Sequence, residues 1–244
     1  MRIKAIVLGL TIVTVAGMGA TSAQAVNSNF VVNGDFEQTT NGTGQFDYST
    51  VATGWTSSGY NFLFAAGTAD STGSMGQDGK LALWGPQNGS NNGLTNSPTG
   101  GNFVAADGAY KIGAIQQTIS GLKVGQDYQV SFDWAAAQQK NFTGPNTEHW
   151  GVSLGSETKS TSIYSNKSEG FSGWMHETMT FTATGPSEVL SFLAAGTPSG
   201  QPPFSLLDGV SMTSAVPEPA TWGMLLGGLG LIALALRRRN GGAA

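Results

Sequence analysis

The chain has 244 residues and no cysteine. Disulfide bracing, thiolate catalysis and cysteine-ligated zinc are therefore excluded. Histidine is almost as scarce, with His149 and His176 alone, which argues against a catalytic zinc centre built on imidazoles. Charged residues make up 11% of the chain. Between residues 26 and 215 there is no arginine, and six lysines (80, 111, 123, 140, 159 and 167) face fourteen acids, a net charge of −8. A surface of that sign repels phosphate backbones, so nucleic acid is not an expected partner. The sequence has no P-loop, dinucleotide fingerprint or EF-hand loop, no fixed-period repeat and no long helical periodicity.

The two ends carry targeting chemistry. Arg2 and Lys4 precede an apolar run from residue 6 to residue 16. Ala23-Gln24-Ala25 then supplies a small-residue cleavage site. This is the pattern of a signal peptide over 1–25, with mature protein starting at Val26. At the other end, residues 216–244 hold Pro217-Glu218-Pro219, an uncharged run over 220–236, and Arg237-Arg238-Arg239. The run is short but sufficient for a transmembrane helix. Trp222 suits the headgroup layer, and the arginines mark the cytoplasmic side. The three parts, in that order, resemble the PEP-CTERM sorting signal of Gram-negative bacteria. The resemblance implies processing by an exosortase, a membrane enzyme that cuts near Pro-Glu-Pro. It implies an inner-membrane intermediate followed by transfer to the cell surface or extracellular matrix.

Residues 26–215 are long enough for one domain with a full core. Strand signals recur every ten to fifteen residues between Gly, Asn and Pro. They fall at Phe30–Val32, Lys80–Trp84, Phe103–Ala106, Ala114–Ile119, Tyr128–Trp134, Val152–Leu154, Met175–Ala183, Leu190–Phe192 and Leu206–Met212. The clearest is Tyr128–Trp134, where Tyr128, Val130, Phe132 and Trp134 alternate with Gln129, Ser131 and Asp133. Gly85–Asn102 and Asn141–His149 read as loops. The expected fold is all-β, a two-sheet sandwich. Four pieces resemble galactose-binding-like jelly rolls, carbohydrate-binding modules among them. They are Asn33-Gly34-Asp35-Phe36-Glu37, Gly54-Trp55, Ile115–Leu122 leading into Gly125–Tyr128, and Leu207-Asp208-Gly209-Val210.

Candidate chemistry is thin. Gly151-Val152-Ser153-Leu154-Gly155 matches G-x-S-x-G, but a nucleophile elbow needs a helix next, and the polar run after Gly155 has no helical face. Trp55, Trp134 and Trp174 read as core. Trp84 and Trp150 flank the two loops, and with Tyr60 they are candidates for a glycan surface, where rings pack on sugar C–H groups. Asp208 shares the parity of Val210 and Met212 on a regular strand, which would turn a carboxylate inward, at a cost unless it is paired or bound to a cation. The jelly-roll resemblance implies a structural calcium there, held by Glu37 and Asp208 with Asn33 or Asp35; hard oxygen donors suit that ion. The expected function is non-catalytic association with extracellular polysaccharide. The alternatives are a matrix glycosidase or esterase, and a structural matrix protein without a ligand.

Overall fold

Alternating apolar and polar residues pull the middle of the chain into strands with one face turned inward. A computed structural model describes residues 28–215 and Gly228. The expected signal peptide, Pro217-Glu218-Pro219, the apolar run apart from Gly228, and the arginine triplet lie outside the described residues. Fourteen strands occur in chain order. The first seven are β1 (Gly44–Gln45), β2 (Thr56–Ser57), β3 (Asn61–Phe64), β4 (Ser74–Gly76), β5 (Gly79–Leu81), β6 (Phe103–Asp107) and β7 (Ile115–Ser120). The others are β8 (Asp127–Gln138), β9 (Asn146–Leu154), β10 (Glu157–Ser160), β11 (Tyr164–Asn166), β12 (Met175–Thr182), β13 (Ser187–Thr197) and β14 (Pro203–Ser214). Among the described residues no helix is long and apolar enough to cross a membrane.

One sheet has the order β1-β3-β6-β14-β8-β12. The other runs β10-β9-β13-β7-β2, with β11 also on β9. The long strands from β6 to β9, and again from β12 to β14, switch sheet at every step. The last strand inserts between β6 and β8. That is jelly-roll topology, as the sequence led us to expect. The core between the sheets includes Phe132, Trp134, Trp150, Val152, Leu190 and Phe192. Tyr128, Val130, Phe132 and Trp134 all face it, in the expected register.

A second apolar cluster lies on the opposite face of the first sheet. Phe62, Phe64, Phe103, Ala105, Phe204 and Leu206 are buried there beneath Leu81 and Leu83, with Leu94, Phe171 and Trp174 packed against them. The covering chain includes the Gly/Asn-rich segment that reads as a loop, which contains a single 3₁₀ turn at Pro86–Asn88. Strands covered on both faces lose the alternating pattern, so β6 is buried at all five positions.

Three expectations about elements change. Phe30–Val32 is not a strand: its amides pair with side chains, Val31 N–H with Asn29 Oδ1 and Val32 N–H with Gln117 Oε1. Phe30 N–H alone reaches β14, at Met212 O. Lys80–Trp84 shortens to the end of a small hairpin, β4–β5. Asn146–His149, expected in a loop, begins the nine-residue β9, because Asn146 and Glu148 are buried polar residues that break the apolar signal.

A bulge in β14 overturns the parity expected of Asp208. The register shifts between Asp208 and Ser211, and Gly209 takes a left-handed φ of 60°. Leu207 and Val210 both reach the main core. Asp208 instead shares the outer face with Leu206, opposite Asp133 on β8. It is nevertheless fully buried.

Candidate functional site

The β6–β7 turn displays an aromatic ring beside a charge pair. Asp107 ends β6, and its Oδ1 accepts the amides of Ala109 (2.8 Å) and Tyr110 (2.9 Å). That pair of hydrogen bonds folds the turn back and leaves Tyr110 45% exposed. The Tyr110 ring stands edge-on to Tyr60, with centroids 5.2 Å apart. Tyr60 is anchored by its own amide to Lys111 O at 2.9 Å and by its carbonyl, which accepts Asp107 N–H. Lys111 Nζ lies 5.0 Å from the Tyr110 centroid and 3.1 Å from Asp78 Oδ2, at the tip between β4 and β5. Ring and ammonium attract through the quadrupole of the π face. The Tyr110 and Asp78 side chains hold the Lys111 pKa above its usual value. Burial, with Asp78 next, raises that of Tyr60.

One further loop joins this surface. Ser49 Oγ donates to Met75 O, which ties the loop bearing Tyr48 to the β4–β5 hairpin. Tyr48, Met75 and Ile112 are all more than half exposed. The result is a ridge of exposed apolar groups with a fixed phenol and a lysine–carboxylate pair. Chemically it can stack on a sugar ring and bond its hydroxyls. Tyr110, Lys111 and Asp78 were not singled out in the sequence. The Asp107-Gly108 turn was legible, and an aromatic two residues beyond such a turn is a usable signal. The Lys111–Asp78 pair spans 33 positions and has no local trace.

The three sequence-derived ring candidates separate. Tyr60 is buried and serves as the support of Tyr110. Trp150 is fully buried. It sits in the middle of β9 with its indole N–H donating to Leu206 O at 3.1 Å, so it cannot line a surface. Trp84 is half-buried, and its indole N–H donates to Phe142 O at 2.7 Å. Trp55 and Trp134 are core, as expected. Trp174 is half-buried against the second cluster. Ser153 lies on a strand between Ser191 and Thr158, and β9 turns into the hairpin strand β10, so no nucleophile elbow forms.

The carboxylates expected at calcium meet one loop from two sides. Asp208 Oδ2 accepts the Thr99 hydroxyl, and its Oδ1 the Gly209 amide at 2.7 Å. Burial pushes the Asp208 pKa up to about 6, against the hydrogen bonds of Ser97 and Thr99, with the charge of Asp35 adding to the rise. Glu37 Oε1 accepts the amide of Asn102 at 2.5 Å. Asn33 Nδ2 donates to Gln38 O and Thr53 O, and its Oδ1 accepts the Gln38 amide at 2.9 Å. The first and last segments do meet, since Val210 N–H donates to Gly34 O at 2.9 Å. Beside that seam an open hollow of about 390 Å³ is lined by Asn33, Asp35, Gln38, Gly209 and Ser211 among others. Among the described residues no three His, Asp or Glu side chains stand close enough to hold a metal.

Comparison with known proteins identifies one segment. Residues 215–239 match the PEP-CTERM protein-sorting motif, the mark of an exported protein processed by an exosortase. No curated protein matches the chain in sequence. Among solved structures, the carbohydrate-binding module TmCBM61, solved with β-1,4-galactotriose, is 15% identical with a TM-score of 0.43. The match covers 77% of this chain and 99% of that one. The CBM22-1 xylan-binding domain of Paenibacillus barcinonensis Xyn10C is 9% identical, TM-score 0.37, covering 79% and 97%. The K3 adhesin domain of Lys-gingipain from Porphyromonas gingivalis is 14% identical, TM-score 0.43, covering 77% and 100%.

Proposed function

From a chain that carries a PEP-CTERM sorting motif on a jelly-roll sandwich, we propose a non-catalytic surface or matrix protein that associates with extracellular polysaccharide. Its route runs through an inner-membrane intermediate of a Gram-negative cell. The observation that supports this reading is the Tyr110 ring, exposed, held edge-on by Tyr60 and flanked by Lys111 and Asp78. A ring fixed before binding loses little rotamer entropy when a sugar stacks on it. The paired lysine and carboxylate offer donors and acceptors to the hydroxyls beside that ring. Affinity electrophoresis of the full-length protein through gels loaded with matrix polysaccharide tests it. Tyr110→Ala should restore free migration while the melting temperature stays within experimental error. Retention equal to that of the parent would sink the assignment of this ridge.

A structural calcium at Asp208, with Glu37 and Asp35, belongs to the same proposal. Its support is a buried carboxylate with no cationic partner among the described residues and a second carboxylate, Asp35, close enough to raise its pKa. Calcium at a hundred times its dissociation constant should stabilise the fold by about 2.7 kcal/mol. Asp208→Asn should lose that gain in thermal melting; an undiminished gain would remove Asp208 from the site.

A further inference from the structure

The sandwich interior is not apolar throughout. Along β9 the inward side chains are Asn146, Glu148, Trp150, Val152 and Leu154, so two polar groups extend the row beyond the end of the core. Asn146 is 3% exposed and Glu148 fully buried. Two contacts fix β9 against β14 and the segment leading into it. Asn146 Nδ2 donates to Gln201 O at 3.1 Å, and Trp150 Nε1 to Leu206 O. Glu148 lies between these points on β9, and Ser205 lies between Gln201 and Leu206 along the chain. Gly196, the cross-strand partner of Glu148, closes the third side: a Cβ there would meet Pro203 Cγ at 2.6 Å. Asn166, on β11, closes the fourth with a long contact from Nδ2 to Glu148 Oε1 at 3.5 Å.

Four side-chain oxygens at this end have no hydrogen-bond partner among the described residues: Asn146 Oδ1, Glu148 Oε2, Gln201 Oε1 and Ser205 Oγ. Such groups are costly when buried. Three of them can only accept when Glu148 is ionised. One water donates two hydrogen bonds and cannot satisfy all three. No lysine stands within ion-pair distance of Glu148 among the described residues.

We propose that this closed end of the sandwich binds a hard divalent cation of the calcium class, held by Glu148 with the amide oxygens of Asn146 and Gln201 and the Ser205 hydroxyl. One carboxylate with neutral oxygens is a donor set such an ion accepts, whereas softer metals want nitrogen or sulfur. The site is separate from the surface seam at Asp208, lying on the inward face of the sheets. Burial pushes the Glu148 carboxyl up to about 8, against the weak Asn166 bond. The site would brace β9 against β14 in an exported domain that has no disulfide.

Calcium titration calorimetry of the full-length protein tests this. Beyond any calcium held at Asp208, the parent should bind one further equivalent that Glu148→Gln abolishes and Asp208→Asn retains. Ser205→Ala, which removes little volume, should raise the dissociation constant of that same equivalent. Identical titrations for the parent and Glu148→Gln would overturn the site. If Glu148→Gln does not fold, the parent with ¹³C-labelled glutamate decides: a Glu148 carboxyl resonance that moves on calcium addition supports the site. A resonance unmoved at saturating calcium overturns it and leaves a neutral, water-bonded acid.

Discussion

Asp107 joins stability to display at the level of a single residue. Its carboxyl is buried, and burial pushes its pKa up to about 6 against the two amide bonds it accepts. The unfolded carboxyl titrates near 3.8. Between those values the folded chain keeps a proton that the unfolded chain has lost. Stability therefore falls as pH rises through this window. Asp208 and Glu148 are shifted in the same direction by burial, so the three add. Calcium-free melting should give a lower Tm at pH 7 than at pH 4.5. Asp107→Asn keeps an oxygen for the Ala109 and Tyr110 amides but cannot ionise. Its Tm should vary less over that range than the parent's, and an equal slope in both would show that Asp107 carries none of it.

Elements meet here through close backbone contacts as much as through side chains. The N-terminal segment is attached to β14 where Gly34 passes Val210: a Cβ on Gly34 would stand 1.9 Å from Val210 O. The obstacle is backbone, so no rotamer change relieves it. Gly34→Ala should break the Val210–Gly34 hydrogen bond and part the seam, at a cost of roughly 1–3 kcal/mol of the overpacking kind. Denaturant melting measures the loss, and hydrogen exchange at the Val210 amide locates it. Unchanged protection of that amide would mean that the segment has moved aside and the seam has other supports. The bulge one residue away belongs to the same scale. Gly209 reverses the parity of β14 and turns Asp208 toward the loop containing Thr99 rather than toward the core.

For the whole molecule, the sandwich is the cargo and the C-terminal motif its address. Residues 215–239 match the sorting motif, and processing removes the segment on the C-terminal side of the cut. Mass spectrometry of the surface fraction should recover peptides from the sandwich and none spanning 223–236. Replacing Arg237, Arg238 and Arg239 with alanine should weaken retention in the inner membrane, since basic residues after an apolar run act as a stop signal, and uncut precursor should then accumulate. Mature, released protein with an intact C-terminal peptide would contradict exosortase processing. Without a disulfide, the sandwich is held by its two apolar clusters.

Local chemistry was enough for much of this. The C-terminal sorting motif is a contiguous segment. The register of β8 comes from a strict period of two, and the all-β class from recurrent strands between Gly and Asn turns. Those features depend on neighbours in the chain, so the chain reports them directly. The burial of Trp150, the support role of Tyr60 and the facing of Asp208 depend on partners far away in sequence. Trp150 reads as a loop-flanking ring until β13 and β14 cover it. Asp208 reads as inward until a bulge adds one residue to its strand, and period-two reasoning fails at any such insertion. The second apolar cluster exists because a Gly/Asn-rich segment folds over an outer sheet face, a long-range packing choice that polar composition conceals. The ridge at Tyr110 and the oxygens around Glu148 were likewise assembled by the tertiary structure. Their members come from separate strands and loops, and nothing in local sequence marks which of them will meet.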